Sequence, residues 1–483
     1  MSVLSNLKPA GVWSFFEELC KIPHGSHNEK AISDYCVAFA KERGLSVWQD
    51  DAWNVIIVKE ASAGYENAEP VILQGHLDMV CVKKPDCDLD MEKEGLRLGV
   101  DGDYVYAEGT SLGGDDGIAV AYALAILDDD SIPHPRLEVI FTTCEEVGMD
   151  GALALKPSML KGHTMLNLDS EEEGIFLVSC AGGVSMDITL PIHRARSEGT
   201  GAVLTVEGLL GGHSGAEIHK GRANANLILA RVLACLAEKT DYQVESLSGG
   251  LKDNAIPRES SAKLLFPIGS AEQAKAFCET YNQLLKKEYS AIDSGVNVRL
   301  ELTGDKKTEV MTPDSLKKTL MLLLSLPNGV QAMSGEIEGL VETSLNMGIL
   351  ETREQEVYFC YSLRSSVSSA KEWLTDKLRL VAESYGAAVS LRGAYPAWEY
   401  QKESPLRENM VRIYEKMFGK QPKVEAIHAG LECGVLASKI PGLDCVSMGP
   451  DILDIHTTEE RMSISSVERM WAFILEVLKK GEA

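Results

Sequence analysis

The sequence predicts an α/β protein in which one domain is interrupted by another. Three observations carry this. At 483 residues the chain exceeds one ordinary domain. Short apolar runs alternate with longer stretches whose apolar residues recur every three or four positions, the pattern of strands alternating with helices. That pattern changes character near 180–183 (CAGG) and resumes after a connector holding Pro and Trp at 392–405. The expected organisation is a first domain over 1–183 and 397–483, with an insertion over 184–396.

Residues 11–43 read as two helices, Val12, Phe15, Phe16 and Leu19 marking the first, with Pro23 and Gly25 in the loop between. Strands are expected at 53–58 and 70–73, and Gly75 is expected to turn the backbone. Residues 101–107 suggest a short hairpin element. A Gly-rich polar loop, GTSLGGDDG over 109–117, precedes an apolar helix at 118–127 that should be buried nearly all round. Strands follow at 137–143, 164–168 and 176–180. In the insertion, strands at 202–206, 261–266, 296–302 and 357–363 alternate with helices at 223–238, 271–287, 315–326 and 370–385. Its length would also accommodate two sandwich-like halves, although no internal repeat is visible. Beyond the connector come helices at 406–418 and 433–438, a strand at 444–448 and a closing helix at 464–480.

Composition excludes several classes of function. A formal net charge of -25 and a pI near 4.9 set the chain against nucleic acid and anionic membrane surfaces. The 11 cysteines form no C-x-x-C pair and suit a reducing compartment. The N-terminus lacks a signal-peptide pattern, and no stretch approaches a membrane span, so a cytoplasmic protein is expected.

The chemistry collects after the strands. In VILQGHLDMV, over 71–80, His76 and Asp78 stand two apart and project to one side of an extended chain. The Asp can orient the imidazole or reach the site itself. His27 and Glu29 share that spacing, but with 72 acids in the chain composition alone supplies such pairs. Glu145 and Glu146 follow the next strand, Asp169 a third, and His456 the strand at 444–448. Ligands of open α/β sheets gather beyond the carboxyl ends of strands. Two imidazoles and several carboxylates form a borderline N/O set suited to zinc, manganese or cobalt. Asp115, in its Gly-rich loop, is the candidate bridge between two metals. Alone, Glu145-Glu146 reads as a solvated loop and Asp115-Asp116 as a helix N-cap; the ordered set gives them weight.

The order H-x-D, G-G-D-D-G, E-E, a strand-end Asp and a late His resembles the di-zinc exopeptidases. That family includes aminoacylase, succinyl-diaminopimelate desuccinylase, carboxypeptidase G and the carnosine-type dipeptidases. QGHLDMV at 74–80, TSLGGDDG at 110–117, HAGLECG at 428–434 and IHTTEE at 455–460 most resemble its aminoacyl-histidine dipeptidase branch, over essentially the whole chain. The resemblance implies a catalytic domain with a mixed sheet flanked by helices, interrupted by an α/β lid. It implies His76 and Asp169 on one zinc, Glu146 and His456 on the other, Asp115 between them, Asp78 supporting His76, and Glu145 as general base.

In the insertion, GGHSG at 211–215 resembles the family's lid-histidine segment, which would make His213 an oxyanion ligand; His219 is a weaker candidate. GG at 249–250 with NAIP at 254–257 resembles the lid-asparagine loop through Asn254. Arg364 resembles the lid arginine that takes a substrate carboxylate, and Gly430 could let substrate approach the backbone. For His213, Asn254 and Arg364 there is a plainer reading: a turn histidine, an Asx-turn and a surface ion pair. The implied activity is metal-dependent hydrolysis of unblocked dipeptides with histidine favoured at the C-terminal position, using two divalent metals, zinc with cobalt or manganese as substitutes. An aminoacylase, a tripeptidase, a carboxypeptidase or a silent peptide-binding relative stays open, as does a homodimer.

Overall fold

The structure, a computed structural model, describes residues 3–479. Two compact units form. The first draws on the chain up to Cys180, on Tyr400–Ala426 and on the chain from Leu431 onward; the second is Ala181–Glu399 with Ile427–Gly430. The expected boundaries shift by a few residues, and 427–430 leave the first unit. Gly182 and Gly183 already belong to a strand, Gly182–Pro191, paired along its length with Glu356–Ser365. Residues 427–430 stay with the second unit because the Ala181 N–H donates to the Ile427 and Ala429 carbonyls and His428 bonds Ser344.

The first unit is built on an eight-stranded sheet in the order Ser46–Gln49, Val55–Lys59, Leu137–Thr142, Val71–His76, Thr164–Asn167, Asp444–Ser447, Ile175–Cys180, Lys423–Ile427. Its middle four strands run parallel, so their carboxyl ends share one edge. Burial on both faces explains why these strands read as unbroken apolar runs. The helix Gly114–Asp128 is buried from Gly114 to Leu127. Gly75 does not turn the chain. It lies inside the strand Val71–His76, where a Cβ would come within 2.6 Å of both the Ala119 Cβ and Asp116 Oδ2. Glycine here lets the helix and its leading aspartates sit directly on the strand. Phe176, Tyr414 and Phe473, centroids 5.4–5.6 Å apart, knit early and late segments into one core. The closing helix is Ile464–Leu478; residue 480, its expected end, lies outside the described residues. A small four-stranded sheet pairs the hairpin Leu98–Asp101/Tyr104–Ala107 with Arg461–Ser463 and Ile452–Leu453, which presents residues 454–460 as a loop.

In the second unit the four expected helices are present as Ala225–Ala237, Ala271–Glu288, Pro313–Ser325 and Ser368–Ser384. Simple alternation with four strands is not: the sheet is nine-stranded, with antiparallel pairing throughout. It is one continuous sheet rather than two sandwich halves. Ala388–Tyr395, read as connector from 392, is an edge strand whose residues are mostly exposed and so carry no apolar signal. A two-stranded ribbon pairs His213 with Ala255 and places Asn254 beside them.

Candidate active site

The parallel strands bring the expected residues to one place. His76 is the last residue of its strand and pairs in register with Thr142, three residues before Glu145. Asp169 follows Thr164–Asn167, and His456 lies in the hairpin loop after Ile452–Leu453. Asp115 stands between the two imidazoles: its Oδ1 lies 3.0 Å from His76 Nε2 and its Oδ2 3.1 Å from His456 Nε2. Neither Asp115 nor Asp116 has helical dihedrals, and no cap bond forms at that helix start, which sets the N-cap reading aside. Glu146 Oε1 is 2.9 Å from His456 Nε2, and Asp169 Oδ1 is 3.6 Å from His76 Nε2. Ligand atoms of His76, Asp115 and Glu146 lie within 4.8 Å of one another, as do those of His76, Asp116 and Asp169. Asp116 was not singled out in the sequence; its Oδ2 also accepts the His76 N–H at 3.1 Å.

The surplus of carboxylates governs the protonation of the cluster. Burial opposes charge on His76, yet hydrogen bonds to Asp115, Asp169 and Asp78 raise its pKa well above the ordinary value. Bonds to Asp115 and Glu146 lift His456 to about 10. Burial pushes Asp169 up to about 7, whereas His456 and His76 overcome burial at Asp115 and hold it below the usual carboxylate range. Acids and imidazoles at ligand spacing whose charge balance draws in protons fit divalent metal ions.

Asp78 does more than face a ring. Its carbonyl oxygen is 2.9 Å from His76 Nδ1, and its carboxylate 3.5 Å. The carboxylate accepts the N–H of Glu145 at 3.0 Å, the N–H of Glu146 at 3.3 Å and the Ser26 hydroxyl at 2.8 Å. One residue thus fixes a candidate ligand and the turn carrying the Glu pair. Glu29 completes that anchorage from the other side, accepting the N–H groups of Cys144 at 3.0 Å and His27 at 2.9 Å. The His27/Glu29 spacing, given no weight in the sequence, therefore marks a turn support. Asp78→Ala should lower kcat by roughly 10–100-fold, because the supporting partners of metal ligands carry effects of that size. Steady-state kinetics with metal analysis checks it; unchanged kcat would mean the turn holds without Asp78.

Burial raises Glu145 well above the usual carboxylate value; His76 offsets this in part, and Asp169, Glu432 and Glu146 add to it. Glu432 also escaped the sequence reading. It is fully buried, accepts from Gln74 Nε2 at 2.6 Å and Thr142 Oγ1 at 2.5 Å, and is pushed by burial to about 7. Its acid within HAGLECG was the available signal.

The second unit gathers the remaining candidates. The His213 Nδ1 accepts the N–H of Ala216 at 3.0 Å and of Gly215 at 3.3 Å, so the ring proton belongs on Nε2, which is left as a donor. Burial and the nearby Arg364 both lower its pKa and keep it neutral. His219 is exposed in the short helical turn Ile218–Lys220. Arg364 is only 8% exposed. It donates to the Tyr395 hydroxyl at 2.7 Å, its Nε has no partner, and it forms no ion pair among the described residues. A surface ion pair is therefore not what Arg364 makes. A Cβ on Gly215 would fall 3.1 Å from Arg364 Nε, 3.1 Å from the His213 ring and 2.5 Å from the His428 carbonyl, so glycine lets these groups meet. The Asn254 side chain is exposed, while its carbonyl accepts the Ser214 N–H at 2.8 Å. Gly430 is half-buried two residues after His428. No helix among the described residues is long and apolar enough to cross a membrane.

The model of peptidase family M20/M25/M40 matches residues 72–480. The chain is 39% identical to the cytosol non-specific dipeptidase of Escherichia coli (strain K12), over 99% of both chains. It superposes on an aminoacylhistidine dipeptidase from Vibrio alginolyticus with a TM-score of 0.91, at 38% identity, covering 98% of this chain and 97% of that one. The aminopeptidase PepT of Bacillus cereus, at 16% identity and a TM-score of 0.57, shares the fold. With its parallel strands ending in this acid and imidazole cluster, the chain belongs to peptidase family M20/M25/M40.

Proposed function

We propose that the chain is a metal-dependent dipeptidase acting on unblocked dipeptides, with histidine favoured at the C-terminal position. The observation that carries the two-metal reading is Asp115, whose two carboxylate oxygens face different imidazoles at 3.0 and 3.1 Å. His76 and Asp169 would hold one ion, Glu146 and His456 the other, and zinc suits this donor set. Bound divalent ions supply Lewis acidity toward the scissile carbonyl and lower the pKa of water. Glu145 takes the proton of the attacking water and later gives it to the leaving amine, a double duty suited to a carboxyl group whose burial raises its pKa. The Nε2–H of His213 donates to the oxygen that gains charge as the carbonyl becomes tetrahedral. Arg364 receives the terminal carboxylate, and Asn254 and Gly430 contact the peptide. Dipeptidase relatives of full length support the substrate class, and the names of two of them differ on specificity.

The test is a panel of free dipeptides, tripeptides and N-acyl amino acids, assayed with added zinc, manganese or cobalt and after chelation. Xaa-His dipeptides, carnosine among them, should be cleaved fastest, and chelation should remove activity. Equal rates on all dipeptides would remove the histidine preference alone. Cleavage of N-acyl amino acids without cleavage of dipeptides would make the chain an acylase.

A further inference from the structure

Glu459 and Glu460 are adjacent acids with opposite fates. Glu459 is exposed and pairs with Lys84 at 2.7 Å. Glu460 is 3% exposed. Its Oε2 accepts the N–H groups of Leu112 at 2.8 Å and Gly113 at 3.2 Å, and its Oε1 accepts that of Gly114 at 2.9 Å. Three consecutive amides thus converge on one internal carboxylate, as backbone nests converge on anions. The glycines make this geometry accessible: Gly113 has φ +68°, and a Cβ on Gly114 would press to 3.3 Å from Glu460 Oε1. The next residue is Asp115. Glu460 lies four positions after His456, and Asp115 Oδ2 meets His456 Nε2 at 3.1 Å. The two loops are some 340 residues apart in sequence, and the Glu460 carboxylate fastens one directly to the other.

We propose that Glu460 is a positioning residue that fixes the bridging Asp115 against His456, a role that rests on the two-metal reading above. It touches no substrate, and its carboxylate is spent on backbone amides. Losing it frees the Leu112–Gly114 amides and lets Asp115 drift from one imidazole, so the metal shared with His456 is the one weakened. Supporting partners of metal ligands typically change affinity 10–100-fold. Glu460→Gln keeps the size of the side chain but turns an amide NH2 toward backbone donors, so at least one of the three bonds fails.

The experiment uses the full-length chain, stripped of metal and titrated with cobalt(II). Visible absorption, bound cobalt per chain and the melting temperature are followed for the wild type, Glu460→Gln, Glu460→Ala and the control Glu459→Gln. The expected result is two cobalt ions in the wild type and the control. In Glu460→Gln one of the two should bind 10–100-fold more weakly, with an altered absorption spectrum and a lower kcat. Wild-type cobalt affinity and spectrum in Glu460→Gln, with only a lower melting temperature, would make Glu460 a fold-stabilising residue and overturn the proposal. Fewer than two cobalt ions in the wild type would overturn the two-metal reading and this role together.

Discussion

Glu145→Gln is expected to lower kcat by about 10²–10⁴-fold, the usual worth of a positioned general base, while divalent metal still binds fully. The separation follows from the geometry. Among the Glu pair it is Glu146, not Glu145, whose carboxylate oxygen reaches His456, at 2.9 Å. The backbone N–H of Glu145 is tied to Asp78 at 3.0 Å, so the amide variant keeps the turn and changes only the group proposed to move the proton. Steady-state kinetics on Xaa-His substrates with elemental analysis of the same samples decides the matter. Wild-type turnover would put the base elsewhere, and loss of metal would make Glu145 a ligand.

Arg364→Ala is expected to raise KM for dipeptides by roughly 10–100-fold, the range of one charge-assisted hydrogen bond at about 1.5–3 kcal/mol. A buried guanidinium with no counter-charge is costly to keep, and the proposed substrate carboxylate would offset that cost. His213→Ala should behave differently. In the proposed role its Nε2–H meets charge that appears only as the carbonyl becomes tetrahedral, so kcat should fall more than KM rises. Both variants belong to the second unit and should leave metal content unchanged. Near-wild-type kinetics for both would mean that this unit takes no part in recognising substrate.

The first unit was legible because its central strands are buried on both faces and each is followed by a residue with distinct chemistry. Val71–His76 and Leu137–Thr142 read as apolar runs; His76 closes the first, Glu145, Glu146 and Asp169 stand just past strand ends, and His456 lies in the loop after Ile452–Leu453. The second unit was less legible because antiparallel strands with one open face need not be apolar. Asn297–Met311 is largely exposed in its middle, and Ala388–Tyr395 over most of its length. Gly75 was misread because a glycine beside a histidine looks the same whether it bends the chain or admits a helix; only Ala119, 44 positions on, distinguishes the two. The buried acids Glu29 and Glu460 were invisible for a related reason. Nothing local separates an acid that accepts buried amides from one that solvates a surface, and their partners arrive from distant segments.

The place of Asp444–Ser447 in the first sheet has a consequence for how the protein is made. It lies between Thr164–Asn167 and Ile175–Cys180, strands only seven residues apart in the chain. A growing polypeptide therefore holds a slot open between two neighbouring strands until Asp444–Ser447 has been synthesised, 264 residues after Cys180. At about 5–20 residues per second, that wait is roughly 13–53 s. The second unit, nearly continuous in sequence, can fold during the interval, while the first exposes two unpaired strand edges that invite chaperone binding or aggregation. His456 arrives only nine residues after that last strand closes the sheet. A chain that stops before residue 444 consequently lacks both the completed sheet and an imidazole of the cluster.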